Sequence, residues 1–142
     1  MTAGRGAIDF ETAFVAPLTP RAEDFDMLGH VNNAVYVRWV QEMAVAHWET
    51  TAPPDMVAGS VFVVLRHEID YRDPILPGDA VEGRTWLGRA RGPRFERFVD
   101  VRKPGAAKPA AFARTDWCRL NTLTRRPMRI DAALLEAFDV PG

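Results

Sequence analysis

From residue 33 onward the chain spaces its apolar side chains by threes and fours. Tyr36, Trp39, Val40, Met43 and His47 stack along one face of a helix expected from Asn33 to about Thr50, and Arg38, Gln41, Glu42 and Glu49 largely complete the wetter side. Val37, Val45 and Trp48 widen the apolar surface beyond an ordinary stripe, which predicts a helix wrapped by sheet over much of its girth. An Asx side chain at Asn32 or Asn33 caps its start, and "TTAPPD" stops it. After Ala58 the period changes to two. In "SVFVVLRHEIDY" the residues Val61, Val63, Leu65, His67, Ile69 and Tyr71 alternate with Phe62, Val64, Arg66, Glu68 and Asp70, the first half being apolar on both faces. The turn-rich segments "RDPILPGD", "RGPR" and "KPGAAKPA" then introduce "AVEGRTWLGRA", "FERFVDVR" and "AFARTDWCRL", and three such short links predict antiparallel neighbours. With a first strand near "FETAFVAPLT" and a short tail helix near "DAALLEAF", the pattern is α+β: one long helix laid against an antiparallel sheet.

Composition narrows the function classes. A chain of 142 residues predicts a single domain, here with its core at about 11–130. A net charge of −1 with 47% hydrophobic residues argues against disorder and against a nucleic-acid partner. No run approaches the ~18 consecutive apolar residues of a membrane span, and "MTAGRGAIDF" has no leader-like apolar stretch. A cytoplasmic location without membrane contact is therefore expected. Cys118 is the only cysteine and reads as a buried small hydrophobe, in keeping with a reducing compartment. His30, His47 and His67 lack paired metal-ligand spacing, and neither a Gly-x-Ser-x-Gly elbow nor a Gly-rich phosphate loop occurs. No metal or cofactor is expected.

The chemistry concentrates in "DFDMLGHVNN", residues 24–33, where two acids, a histidine, a glycine and two asparagines precede the helix. The pattern D-x-x-G-H-V-N-N-x-x-Y, continued by Trp39, "IDYRDPILPGD" and "ARTDWCRLNTLTRRPMRI", resembles hot-dog fold thioesterases over about residues 11–130. The similarity is to the group of 4-hydroxybenzoyl-CoA thioesterase and plant acyl-carrier-protein thioesterases. It implies a five-stranded antiparallel sheet curled around the long central helix, a short C-terminal helix, and pairing of two subunits with active sites at the interface, as a dimer or dimer of dimers.

The resemblance assigns roles at these positions. Asp26 aligns with the carboxylate that acts as nucleophile or general base. His30 and Asn33 belong to the site in relatives similar to the plant enzymes, whereas relatives similar to the hydroxybenzoyl enzyme are apolar at His30. Backbone amides at Asn33 and Ala34 lie at the helix start, where unpaired N–H groups and the positive dipole end suit a thioester carbonyl oxygen. Gly29 permits a positive φ or close approach, and Tyr36, Trp39 and Val40 offer apolar surface to an acyl group. Asp24 reads as a turn or surface residue, and Glu42 and Glu49 as solvated. Arg89, Arg91 and Arg94 surround one hairpin and suit the phosphates of coenzyme A, or else keep a strand edge soluble. The expected activity is hydrolysis of an acyl-CoA or acyl-carrier-protein thioester. An enoyl-thioester hydratase and a non-catalytic acyl-CoA-binding module are the alternatives.

Overall fold

The computed structural model describes residues 9–138 and 140. Strand β1 (Phe14–Leu18) is followed by a single 3-10 turn (Ala22–Asp24) and helix α1 (Asn33–Thr51), then by α2 (Pro54–Gly59) and β2 (Ser60–Tyr71). Strands β3 (Val81–Arg91), β4 (Arg94–Arg102) and β5 (Ala111–Asn121) and helix α3 (Ala132–Ala137) complete the order. This is the hot-dog arrangement: a five-stranded antiparallel sheet against one long helix.

Helix α1 starts where Asn32 Oδ1 accepts the Ala34 N–H at 2.9 Å, and it stops at Ala52, held extended ahead of Pro53. Val35, Tyr36, Trp39, Val40, Met43, Ala44 and His47 are buried; five of them, Tyr36, Trp39, Val40, Met43 and His47, are the face expected from the spacing, whereas Val45, expected to widen it, is exposed. Past Pro53 the chain makes one further short helix, α2, where only a stop was expected; Pro54 fits its first turn because the missing N–H costs nothing there.

The sheet order is β1-β3-β4-β5-β2, which corrects one expectation. The links β3–β4 and β4–β5 do join antiparallel neighbours, but β2 pairs with β5 and does not neighbour β3. The segment after β2 is a crossing rather than a hairpin. Arg72 and Asp73 both donate their amides to the Ala110 carbonyl, at 2.8 and 3.1 Å, and the fully buried Ile75 accepts the Val31 amide at 2.9 Å. Those bonds tie the segment to β5 on one side and to the approach of α1 on the other.

The alternation expected along β2 also breaks. A bulge between Val64 and Arg66 shifts the register, so Phe62 and Val64 pack inward with Trp48, while beyond it Ile69 packs inward against the other half of the core. Val63 and Leu65 are consequently exposed on the outermost strand.

The helix sits close on the sheet at Gly83. A Cβ there would lie 2.6 Å from Met43 Sδ and 3.0 Å from Leu18 Cδ1. A polar group crosses the core one strand further on: the buried Arg97 Nη1 donates to His47 Nδ1 at 2.9 Å and to Thr85 Oγ1 at 3.0 Å. Since a guanidinium only donates, His47 is neutral, with its proton on Nε2. Burial and the neighbouring Arg97 charge hold its pKa down at about 3.

Candidate active site

The loop between β1 and α1 folds on its own backbone. Asp26 N–H donates to the His30 carbonyl at 2.8 Å, and Gly29 N–H donates to the Asp26 carbonyl at 3.0 Å. Gly29 takes φ +79°, a left-handed conformation that a side chain would strain. This turn aims two amides at one carboxylate oxygen: Asp26 Oδ1 accepts from Leu28 at 2.9 Å and from His30 at 3.2 Å. The link between His30 and Asp26 thus runs through the main chain.

Asp24 lies in a turn, one of its two readings, but it is not on the surface. Only 2% exposed, it receives Arg38 Nη1 and Nη2 of α1 at 2.9 and 2.7 Å, one on each carboxylate oxygen. Its Oδ2 also accepts the Arg21 amide at 2.8 Å, and its carbonyl accepts the Asn32 amide at 2.7 Å. One residue therefore fastens both ends of the loop to the helix. The Arg38 hydrogen bonds hold its carboxyl at a pKa of about 2.

Asp26, Leu28, His30, Val31, Asn32, Asn33, Tyr36, Tyr71, Arg72, Asp73 and Pro74 line a hollow of about 440 Å³ at the start of α1. Asp26 is exposed in the isolated chain but stands on this wall. The Tyr71 hydroxyl donates to the Asn33 carbonyl at 3.3 Å. Tyr36 is buried with its ring 5.4 Å from that of Tyr71, and burial pushes its phenol up to about 12, so it stays protonated.

Of the residues singled out in the sequence, Asp26, His30, Asn33 and Tyr36 meet at this hollow. Others do not. Trp39 and Val40 are each 1% exposed and belong to the core. The Ala34 amide is used by the Asn32 cap, whereas among the described residues the Asn33 amide meets no acceptor. Arg89, Arg91 and Arg94 are exposed and, among the described residues, form no ion pair. They lie at the opposite end of the sheet. Tyr71 is level with Ala111 and Val101, and Arg94 with Cys118; positions 94 and 101 on β4 are roughly 24 Å apart at the strand rise.

Tyr71, Arg72 and Asp73 lie within the quoted "IDYRDPILPGD" but carry no site assignment there, because they reach the hollow only through the crossing after β2. The Asp24–Arg38 pair joins positions fourteen apart, across a turn that carries no period. Cys118 is buried, as expected, and Glu42 and Glu49 are exposed. Among the described residues no His, Cys, Asp and Glu group is arranged to hold a metal ion, and no helix is long and apolar enough to cross a membrane.

Comparison with known proteins places the chain among relatives. The model of the thioesterase-like superfamily matches residues 20–138. A thioesterase from Thermus thermophilus, solved with coenzyme A and Zn, is 27% identical, with 87% of this chain and 90% of that one covered and a TM-score of 0.75. YbaW, a probable thioesterase from Escherichia coli, is 21% identical, with 88% and 96% covered and a TM-score of 0.78. Slr0204, a 1,4-dihydroxy-2-naphthoyl-CoA thioesterase from Synechocystis, is 15% identical, with 89% and 95% covered and a TM-score of 0.74. No curated protein sequence matches.

Proposed function

The chain belongs to the thioesterase-like superfamily and is a thioester hydrolase, and on that premise we propose that it cleaves acyl-CoA thioesters with Asp26 as general base. The observation that carries this reading is the carboxylate pinned through Oδ1 by the Leu28 and His30 amides, on the wall of a hollow that also contains Asn33 at the helix start. Oδ2 is left to the chemistry. It takes a proton from water as the water oxygen bonds to the thioester carbonyl carbon, and the carbonyl electron pair moves onto oxygen. The Asn33 N–H, at the positive end of α1, holds that oxyanion. The pair then returns, the C–S bond breaks, and the thiolate leaves and takes up a proton, giving free acid and thiol. A thiolate departs without much acid help, so no second strong acid is required. The His30 ring flanks the water, and Leu28 and Tyr36 offer apolar surface to the acyl group.

Coenzyme A as carrier is supported by its presence in the Thermus thermophilus thioesterase and by the unpaired arginine hairpin. One chain keeps that hairpin too far from its own hollow, so the complete site belongs to a homodimer. If two β2 edges pair antiparallel, the Ser60 end of each copy lies beside the Tyr71 end of the other. The partner's hairpin then comes within about three strand spacings, roughly 14 Å, of the hollow.

Thiol release over aromatic and straight-chain acyl-CoAs, with wild type and Asp26→Asn, tests the reading. Asn keeps an oxygen for the two amides but no longer accepts the proton, so thiol release falls about 10²–10⁴-fold with the fold intact. Activity within a few-fold of wild type rejects the base. Water addition without thiol release instead indicates a hydratase, and binding without either product indicates a non-catalytic module. A single turnover in ¹⁸O-water puts the label in the first acid released; an unlabelled first product means that Asp26 itself attacks.

A further inference from the structure

The segment after β5, residues 122–130, closes on Asn121. Asn121 Oδ1 accepts the Leu123 and Thr124 amides at 2.8 and 3.0 Å, its carbonyl accepts the Arg125 amide at 2.8 Å, and its own amide donates to the Arg126 carbonyl at 2.8 Å. Thr122 ties the loop to the end of α2, from its amide to the Gly59 carbonyl at 3.1 Å and from its hydroxyl to the Ala58 carbonyl at 2.9 Å. Held this way, the loop leaves Leu123 91% exposed and turns Arg125 to φ +62°, a left-handed conformation that residues other than glycine seldom adopt. Strain that the surroundings keep in place is characteristic of ligand-holding segments.

The β3–β4 hairpin lies against this loop. The Ile130 amide donates to the Gly92 carbonyl at 2.8 Å, and the Arg119 amide to the Pro93 carbonyl at 2.9 Å. Arg125, Arg126 and Arg129 thereby join Arg89, Arg91 and Arg94 on one surface, all six exposed. Elsewhere Arg38, Arg84, Arg102 and Arg114 face carboxylates, but among the described residues none of these six does. The acids closest in sequence are engaged. Asp131 accepts the Leu134 amide and faces Arg119 Nη1 at 3.5 Å, while Glu96 accepts the Arg89 amide and faces Arg114 Nε at 2.7 Å. In a chain of net charge −1, this end is a local excess of like charges that repel until an anion sits among them.

The extent of the patch limits the ligand. Arg94 is level with Cys118 on β5, and the loop springs from Asn121, about 10 Å further along the strand. Six guanidinium groups over that distance exceed what one phosphate engages. A ligand with phosphates at two separate positions, joined to an apolar ring for Leu123, matches the patch. The nucleotide of coenzyme A has that constitution: a 3′-phosphate, a 5′-diphosphate and an adenine.

We propose that Leu123, Arg125, Arg126 and Arg129 complete a seat for the 3′-phosphorylated adenine nucleotide of coenzyme A, opposite the hairpin arginines. The inference rests on the acyl-CoA reading and its homodimer, in which this end of one subunit comes within roughly 14 Å of the other's hollow. The pantetheine arm bridges that gap.

Calorimetric titration of the full chain with adenosine 3′,5′-bisphosphate and with adenosine tests the seat without hydrolysis. The bisphosphate binds saturably, and adenosine at least about tenfold more weakly. Arg125→Gly combined with Arg129→Gln removes two cations while glycine relaxes the left-handed position; the melting temperature does not fall, and bisphosphate affinity drops about tenfold or more. In thiol release the same variant raises KM for octanoyl-CoA about tenfold. Its kcat is unchanged, and octanoyl-pantetheine, which has no nucleotide, is hydrolysed as before. Equal binding of adenosine, full bisphosphate affinity in the folded variant, or equal effects on the two thioesters overturns the proposal. Mixing this variant with Asp26→Asn regains the low KM, at sites where an intact Asp26 meets the partner's intact arginines; a KM that stays high overturns the partner seat. A protein that binds the bisphosphate but releases no thiol refutes the Asp26 reading alone. One that hydrolyses octanoyl-CoA but binds no bisphosphate refutes the nucleotide seat alone.

Discussion

Asp24 positions the proposed base rather than reaching the hollow itself. Its bidentate pair with Arg38, together with its main-chain bond to Asn32, fixes the segment from which Asp26 projects. Asp24→Asn leaves Arg38 with only the exposed Glu42, 3.4 Å from its Nε, as a counter-charge and loosens the loop. Breaking a buried pair typically costs 3–5 kcal/mol; Arg38 is 31% exposed, so about 2 kcal/mol is expected, read as a melting temperature several degrees lower. Thiol release should fall about tenfold or more, because small misplacements of a reacting group are expensive. The pH dependence has a definite sign. Arg38 holds the folded-state pKa at about 2, below the ordinary 3.8, so between these values the unfolded chain binds the extra proton. The stabilisation is complete above about 3.8 and disappears as pH falls towards 2. Denaturant titrations of wild type and Asp24→Asn should therefore converge over that interval, and parallel curves down to pH 2 refute the pair's contribution.

At the scale of elements, α1 was legible because one side of it is buried at helical spacing from Val35 to His47 and Asn32 supplies a cap. The strands were legible as alternations bounded by turn residues, but their neighbours were not. "RDPILPGD" has the composition of a hairpin turn, and only the bonds to Ala110 and Val31 reveal it as a crossing. The bulge in β2 was hidden because its first half is apolar on both faces, so a one-residue slip leaves no trace in the pattern. Likewise Trp39 and Val40 share the helical face of Tyr36, and periodicity alone does not separate a wall of the hollow from the core behind it. Gly83 had no signal at all, yet it sets how near the helix lies to β3. In Gly83→Ala the new methyl meets Met43 Sδ and Leu18 Cδ1, and overpacking of this kind costs about 1–3 kcal/mol. Chemical denaturation should give a lower midpoint with an unchanged slope; a variant as stable as wild type means that Met43 swings aside freely.

For the whole molecule the decisive feature is the open edge of the sheet. β2 is twelve residues long, carries Val63 and Leu65 exposed, and among the described residues has no strand beyond it, a combination that invites pairing unless another chain covers it. Met27 and Leu28, in the loop that carries Asp26, are exposed as well. Arg66, Glu68 and Asp70 put charges along the same strand, which favours a defined partner over unlimited stacking. A second copy, as in the proposed homodimer, would meet all of these conditions and bring an arginine hairpin towards each hollow. Sedimentation should give twice the chain mass for the wild type. The double variant Val63→Glu with Leu65→Glu sets like charges against each other across the two-fold axis and should run as a single chain. Because the substrate then lacks the partner's hairpin, KM for acyl-CoA should rise sharply, while Asp26 and its two amides remain in place. A folded single chain that hydrolyses acyl-CoA with unchanged kcat and KM excludes the shared site, and a variant that still sediments as a dimer excludes the β2 edge as its seam.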